Sequence, residues 1–164
     1  MRNRAAYFGV FTALALILSY VEMLIPVNLG IQGAKLGLAN LVIVIVLYKT
    51  DWKEALLLSA VRILLSGFIF GNLFGILYSL SGGVLSLVLM ALLKKSDRFS
   101  VVGVSIAGGV SHNIGQLCTA MLVVETYQVG YYLPALLAAG ALTGFLIGII
   151  SQGVLRRLRG FRFV

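Results

Sequence analysis

Acidic side chains are scarce in this chain. Asp51 and Asp97 are its only aspartates, and Glu22, Glu54 and Glu125 its only glutamates. The two aspartates fall in separate polar stretches, so no paired carboxylates are placed to hold Mg²⁺ against a diphosphate. The single histidine, His112, and the single cysteine, Cys118, do not make a metal ligand set. A lone cysteine also excludes an internal disulfide and reads as packing. No G-x-x-x-x-G-K-[ST] run occurs, which excludes ATP hydrolysis at a P-loop. No aspartate lies in an apolar run, so no Ser/His/Asp set is available. The residues therefore point away from an enzyme and imply no cofactor.

Apolar residues take the place of what is missing. Of 164 residues, 60% are hydrophobic and only 11% charged, with a mean hydropathy of +1.06. A soluble domain carries about a quarter charged residues, so the composition is that of an integral membrane protein. A spanning helix needs roughly 20 residues. Six of them occupy nearly the whole chain as one membrane domain, 1–164, with no room for a soluble catalytic unit.

Polar and glycine-containing breaks divide the chain into six helical segments. They cover about 5–25, 35–48, 55–70, 72–93, 101–124 and 133–155. Arg2 and Arg4 precede the first segment without a cleavage site, which reads as an uncleaved helix. The second is short, so part of 26–36 is expected to re-enter or cap the bundle. Trp52 suits a membrane interface. Gly71-Asn72 marks the break between the third and fourth segments, and 125–132 forms a tyrosine-rich connection.

The net charge of +8 is distributed as a topology signal rather than a nucleic-acid surface. Arg2, Arg4, Lys49, Lys53, Lys94, Lys95, Arg98, Arg156, Arg157, Arg159 and Arg162 all fall on alternate connections or termini. The positive-inside rule then predicts a six-helix bundle with both termini cytoplasmic, its basic ends suited to anionic lipid. Topology does not account for Lys35 and Arg62.

Small residues recur every fourth position at Ala5, Gly9 and Ala13, at Gly67, Gly71 and Gly75, and at Gly140, Gly144 and Gly148. This spacing gives a flat face on which backbones approach closely. It serves packing within the bundle or, most attractively for the first helix, docking of a partner membrane protein.

One stretch stands out within the fifth segment: Ser111-His112-Asn113-Ile114-Gly115-Gln116. Its polar groups cannot face hydrocarbon without cost. His112 and Gln116 are four residues apart and share a helix face. The group serves either as a ligand-binding face or as a hydrogen-bond network holding helices together. Arg62 lies inside an apolar run, where charge marks a functional site by default. It suits an anionic substrate group, pairs structurally with Glu22, or snorkels to the interface. Asn40, Asn72, Tyr78, Ser79 and Ser81 add further candidate ligand contacts. Glu22, Lys35, Glu125, Tyr127, Tyr131 and Tyr132 are expected near the outer mouth, where the tyrosines also fit an interfacial belt. Helices 4–6 and the first connection are expected to supply most of the cavity wall.

Three motifs carry a resemblance: Lys35-Leu36-Gly37-Leu38-Ala39-Asn40; Phe70-Gly71-Asn72 with Leu80-Ser81-Gly82-Gly83; and Ser111 to Gln116. In this order they resemble the Gx transporter family, whose members are often labelled heptaprenyl diphosphate synthase component I. The likeness covers most of residues 5–155. That family is similar to the substrate-binding S components of energy-coupling factor (ECF) vitamin transporters, six-helix membrane proteins with a small-residue motif on the first helix. The resemblance implies docking of a transmembrane coupling subunit at Ala5, Gly9 and Ala13, and energy from cytoplasmic ATPases. It implies a vitamin, a flavin or an isoprenoid or quinone precursor as ligand. A flavin comes first, because such genes are associated with flavin-dependent electron transfer. The alternative is a non-catalytic accessory or anchor subunit of a polyprenyl diphosphate synthase or a redox complex, since the aspartate-rich motifs of prenyl synthases are absent.

Overall fold

The computed structural model describes residues 2–25 and 37–160. Six helices follow one another: α1 (Arg2–Leu24), α2 (Leu38–Lys49), α3 (Trp52–Phe70), α4 (Leu73–Lys95), α5 (Val101–Val124) and α6 (Leu133–Arg157). A 3₁₀ turn, Tyr127–Tyr132, leads into α6. The described residues contain no strand. Lys35 and the segment expected to re-enter lie outside the described residues.

Local chemistry sets several helix ends. The side chain of Asp51 accepts from the Glu54 N–H at 2.8 Å, so α3 begins at Trp52 rather than near 55. Asn72 caps α4 by accepting from the Gly75 N–H at 2.7 Å. Ser100 caps α5 by accepting from the Gly103 N–H at 3.1 Å. Each side-chain oxygen satisfies a donor that the first turn leaves unpaired. The basic residues Lys94 and Lys95, and Arg156 and Arg157, extend α4 and α6 beyond 93 and 155. Cations there complement the negative helix end.

The centre of the bundle is α2. Its residues Val42 to Leu47 are all buried, as expected of a helix that is apolar on every side. It packs against α1, α3 and α6, while α5 packs against α4 and α6. The α5–α6 contact is close. A Cβ at Gly144 would stand 2.6 Å from the Ser105 carbonyl, and one at Gly140 2.7 Å from that of Gly109. Only glycine permits that approach, so this stripe of small residues is used inside the bundle.

Large apolar side chains also cover the outside. Val10, Ile17, Phe68, Ile69, Leu73, Leu92, Leu122 and Leu142 are all exposed. A soluble protein does not carry apolar surface on this scale; hydrocarbon accounts for it. The helices Arg4–Leu24, Leu73–Lys95 and Tyr127–Arg157 are long and apolar enough to cross a membrane. The chain is therefore a membrane protein. By contrast, α3 carries Lys53, Glu54 and Arg62, and α5 carries the polar cluster. The 12 residues of α2 span about 18 Å, short of a hydrocarbon core of about 30 Å.

The basic segments meet at one end of the bundle. Arg4 approaches Glu54 to 3.8 Å. Lys94 Nζ donates to the Leu47 carbonyl at 2.5 Å and lies 5.3 Å from the Tyr48 ring centre. Lys49 Nζ donates to the Leu158 carbonyl. Two lysines of the charge pattern thus also cap the ends of α2 and α6.

Candidate functional site

All six helices place a residue around one small polar chamber. Glu22 comes from α1, Asn40 from α2, Arg62 from α3, Ser79 from α4 and Thr143 from α6. The α5 contribution is His112, Asn113 and Gln116, with Gly109 below them. The chamber has a volume of about 50 Å³, enough for a water or a small polar group. Helices α2 and α3 therefore supply more of the wall than the sequence predicts, since Asn40 and Arg62 face the same space as the α5 cluster.

A second chamber of about 200 Å³ adjoins the first and shares Glu22, Arg62 and Ser79 with it. Its other walls mix Ser19, Ser66 and Asn72 with Met23, Ile63 and Phe70. It lies between α1, α3 and α4, toward the α3–α4 turn.

The polar residues of these chambers fall into two groups. Some are already engaged. Asn113 donates from its amide nitrogen to the Leu136 carbonyl on α6 at 2.7 Å. Ser111 of the same motif lies outside both chambers and donates to the Ala107 carbonyl of its own helix at 2.7 Å. Glu22 accepts from the backbone N–H of Gly37 at 2.5 Å, linking the end of α1 to the start of α2. Gly37 has φ 75°, a left-handed conformation suited to glycine.

Others hold unused capacity. Gln116 is 2% exposed and its carboxamide makes no hydrogen bond among the described residues. The one hydrogen bond of the Arg62 side chain among the described residues runs from Nη2 to Asn40 Oδ1, at 3.4 Å. Its Nε is buried without a partner. No ion pair within 4.0 Å joins Arg62 to Glu22 among the described residues. Buried polar groups normally find partners, and one left without costs about 1–3 kcal/mol, more for a charge.

Of the residues expected at the site, Asn40, Arg62, His112, Asn113 and Gln116 surround the inner chamber, and Asn72 borders the outer one. Tyr78 and Ser81 lie outside both. Tyr78 stacks on Phe74 with ring centres 5.8 Å apart. Ser81 joins α4 to α5, accepting from Thr119 Oγ1 at 2.7 Å and donating to the Gly115 carbonyl at 3.1 Å. Glu22 sits in the inner chamber, not only at its mouth, and Thr143 belongs to none of the sequence motifs.

Two further hollows lie at the basic end. A groove of about 690 Å³ runs past Trp52, Val88, Leu92 and Lys94, but Asp51 and Lys94 within it already serve as helix caps. A groove of about 340 Å³ includes Ala5 and Gly9 of α1. Ala13 is also exposed, and a Cβ at Gly9 would meet nothing within 4 Å. This small-residue face is uncovered, unlike the one on α6.

Fold and site together define an all-α membrane protein with a polar chamber walled by six helices. The heptaprenyl diphosphate synthase component I family matches residues 11–154, and the chain belongs to that family. No curated protein and no solved structure matches the chain.

Proposed function

We propose that this protein is the substrate-binding membrane subunit of an ECF-type transporter for a small vitamin-like molecule. The supporting observation is the buried chamber in which the Gln116 carboxamide has no partner among the described residues. In this reading the six-helix bundle lies in the cell membrane, α2 alone being too short to cross it, with the basic end and both termini in the cytoplasm. The chain is not itself catalytic. A transmembrane coupling subunit docks on the Ala5, Gly9 and Ala13 face, and cytoplasmic ATPases supply energy. A flavin is the first candidate to test, followed by thiamine compounds.

A second reading is favoured by the family description and by the uncovered α1 face. In it the chain anchors a polyprenyl diphosphate synthase without binding a soluble ligand. Thermal unfolding of the purified protein against flavins, thiamine compounds and prenyl diphosphates separates the two. Saturable stabilisation that disappears in Gln116→Ala supports the transporter subunit. Absence of any response, with co-purification of a soluble synthase, supports the anchor.

A further inference from the structure

Arg62 carries a positive charge into the core and leaves most of its hydrogen-bonding capacity unused. A guanidinium has five N–H donors in a planar fork. Here one of them makes a single long bond, Nη2 to Asn40 Oδ1 at 3.4 Å. Nε is shut off from solvent and unpartnered. Nε and Nη2 form one edge of the fork, the edge that meets two oxygens of a carboxylate or phosphate side by side.

Glu22 and Arg62 attract each other across the chambers they share, but this does not occupy the Arg62 donors, and snorkelling does not fit its position. An ion pair with Glu22 would bring the groups within 4.0 Å, and none is formed at that distance among the described residues. Glu22 instead directs Oε1 to the Gly37 N–H. Snorkelling would carry the head group to the interface, whereas Arg62 borders both chambers and bonds to a residue of α2.

The two chambers differ in character. The inner one is small and polar, with Gln116 and Thr143 near Arg62. Its volume of about 50 Å³ suits one small charged group rather than a chain of them. The outer one, about 200 Å³, adds Met23, Ile63 and Phe70. This arrangement receives a polar head at depth and a compact, partly apolar body behind it.

We propose that the ligand carries a single oxyanion, a carboxylate or a monophosphate, which the Arg62 guanidinium holds, with the Gln116 amide on the same chamber wall. The inference rests on the binding reading above and narrows its ligand class: a monophosphorylated flavin or thiamine fits it, whereas neutral riboflavin and free thiamine do not. Neutral ligands of the same shape are discriminated against, because they leave the Arg62 edge unsatisfied.

Isothermal titration of the full chain in nanodiscs of zwitterionic lipid tests this with three probes. Nicotinate presents a carboxylate, phenyl phosphate a monophosphate, and nicotinamide the neutral counterpart of nicotinate. At least one anion is expected to bind saturably and at least tenfold more tightly than nicotinamide. Which anion wins distinguishes a carboxylate ligand from a phosphate ligand. Arg62→Gln is expected to remove the preference for the anion, and Arg62→Lys to restore part of it by charge without the fork. Thermal unfolding of the ligand-free variants checks that they remain folded. If Arg62→Gln proves unfolded, the preference is read from Arg62→Lys, whose anion affinity must still fall.

Nicotinamide binding as tightly as nicotinate, insensitive to Arg62 yet lost in Gln116→Ala, would overturn the oxyanion class and leave the binding reading standing. Absence of binding by either anion below about 10 mM would overturn the proposal. The unfolding panel with larger vitamins then decides the binding reading separately.

Discussion

The side-chain amide of Asn113 donates to the Leu136 carbonyl at 2.7 Å, one turn from where α5 and α6 touch at Gly109 and Gly140. Asn113 is 9% exposed, so the bond is shielded from competing polar groups. It ties α5 to α6 beside the chamber. Removing it frees a backbone acceptor and leaves a small void. Asn113→Ala is expected to lower stability by about 1–3 kcal/mol, measured by thermal unfolding in detergent.

Two glycines of α6 should respond in opposite ways to the same substitution. A Cβ at Gly144 would lie 2.6 Å from the Ser105 carbonyl, against backbone that cannot yield. Gly144→Ala is expected to push α6 from α5 and cost about 1–3 kcal/mol. At Gly153 a Cβ meets nothing within 4 Å. Gly153→Ala should be neutral or gain up to about 1 kcal/mol from helix propensity. The same unfolding measurement compares them. Equal effects would contradict the close α5–α6 contact.

The neighbouring lysines at the end of α4 also separate. Lys94 donates to the Leu47 carbonyl and faces the Tyr48 ring, whereas Lys95 is exposed. Lys94→Met is expected to destabilise by about 1–2 kcal/mol, through loss of a charged hydrogen bond at a helix end. Lys95→Met should change stability by less than about 0.5 kcal/mol. A matching loss in both would mean that only net charge matters.

The uncovered face of α1 predicts a division between folding and assembly. Gly9 has open space where a side chain would go. Gly9→Leu should therefore leave unfolding temperature and ligand response unchanged. Co-purification with a coupling subunit should be abolished, because the flat face is filled. Retained co-purification would exclude docking through this face.

Much of the helix order is legible in the sequence, because polar breaks interrupt apolar runs. The α5 limits are readable from Ser100 and from the polar step at Glu125. The start of α3 is not. Trp52-Lys53-Glu54 looks like a polar connection until Asp51 is seen to cap the Glu54 N–H, after which those residues form a first turn. The α5 cluster is readable as inward-facing, since hydrocarbon excludes its amides. Its partners are harder. Thr143 is one hydroxyl in an apolar helix, and its place beside Gly140 and Gly144 on the packed stripe is the available signal. Tyr78, Ser79 and Ser81 lie within one turn of α4, yet only Ser79 reaches the chambers. Which face of α4 meets α5 depends on packing that spacing alone does not specify. The two uses of small-residue stripes, covered on α6 and uncovered on α1, look the same in sequence.

The central claim is that the chamber at Gln116 and Arg62 binds a small molecule. Mass spectrometry of molecules retained by the purified full chain tests it most directly, with the parent protein and Gln116→Ala handled identically. The account predicts a compound retained in near-stoichiometric amount by the parent and depleted at least tenfold in the variant, while both remain folded. Identical small-molecule content in the two proteins would contradict it.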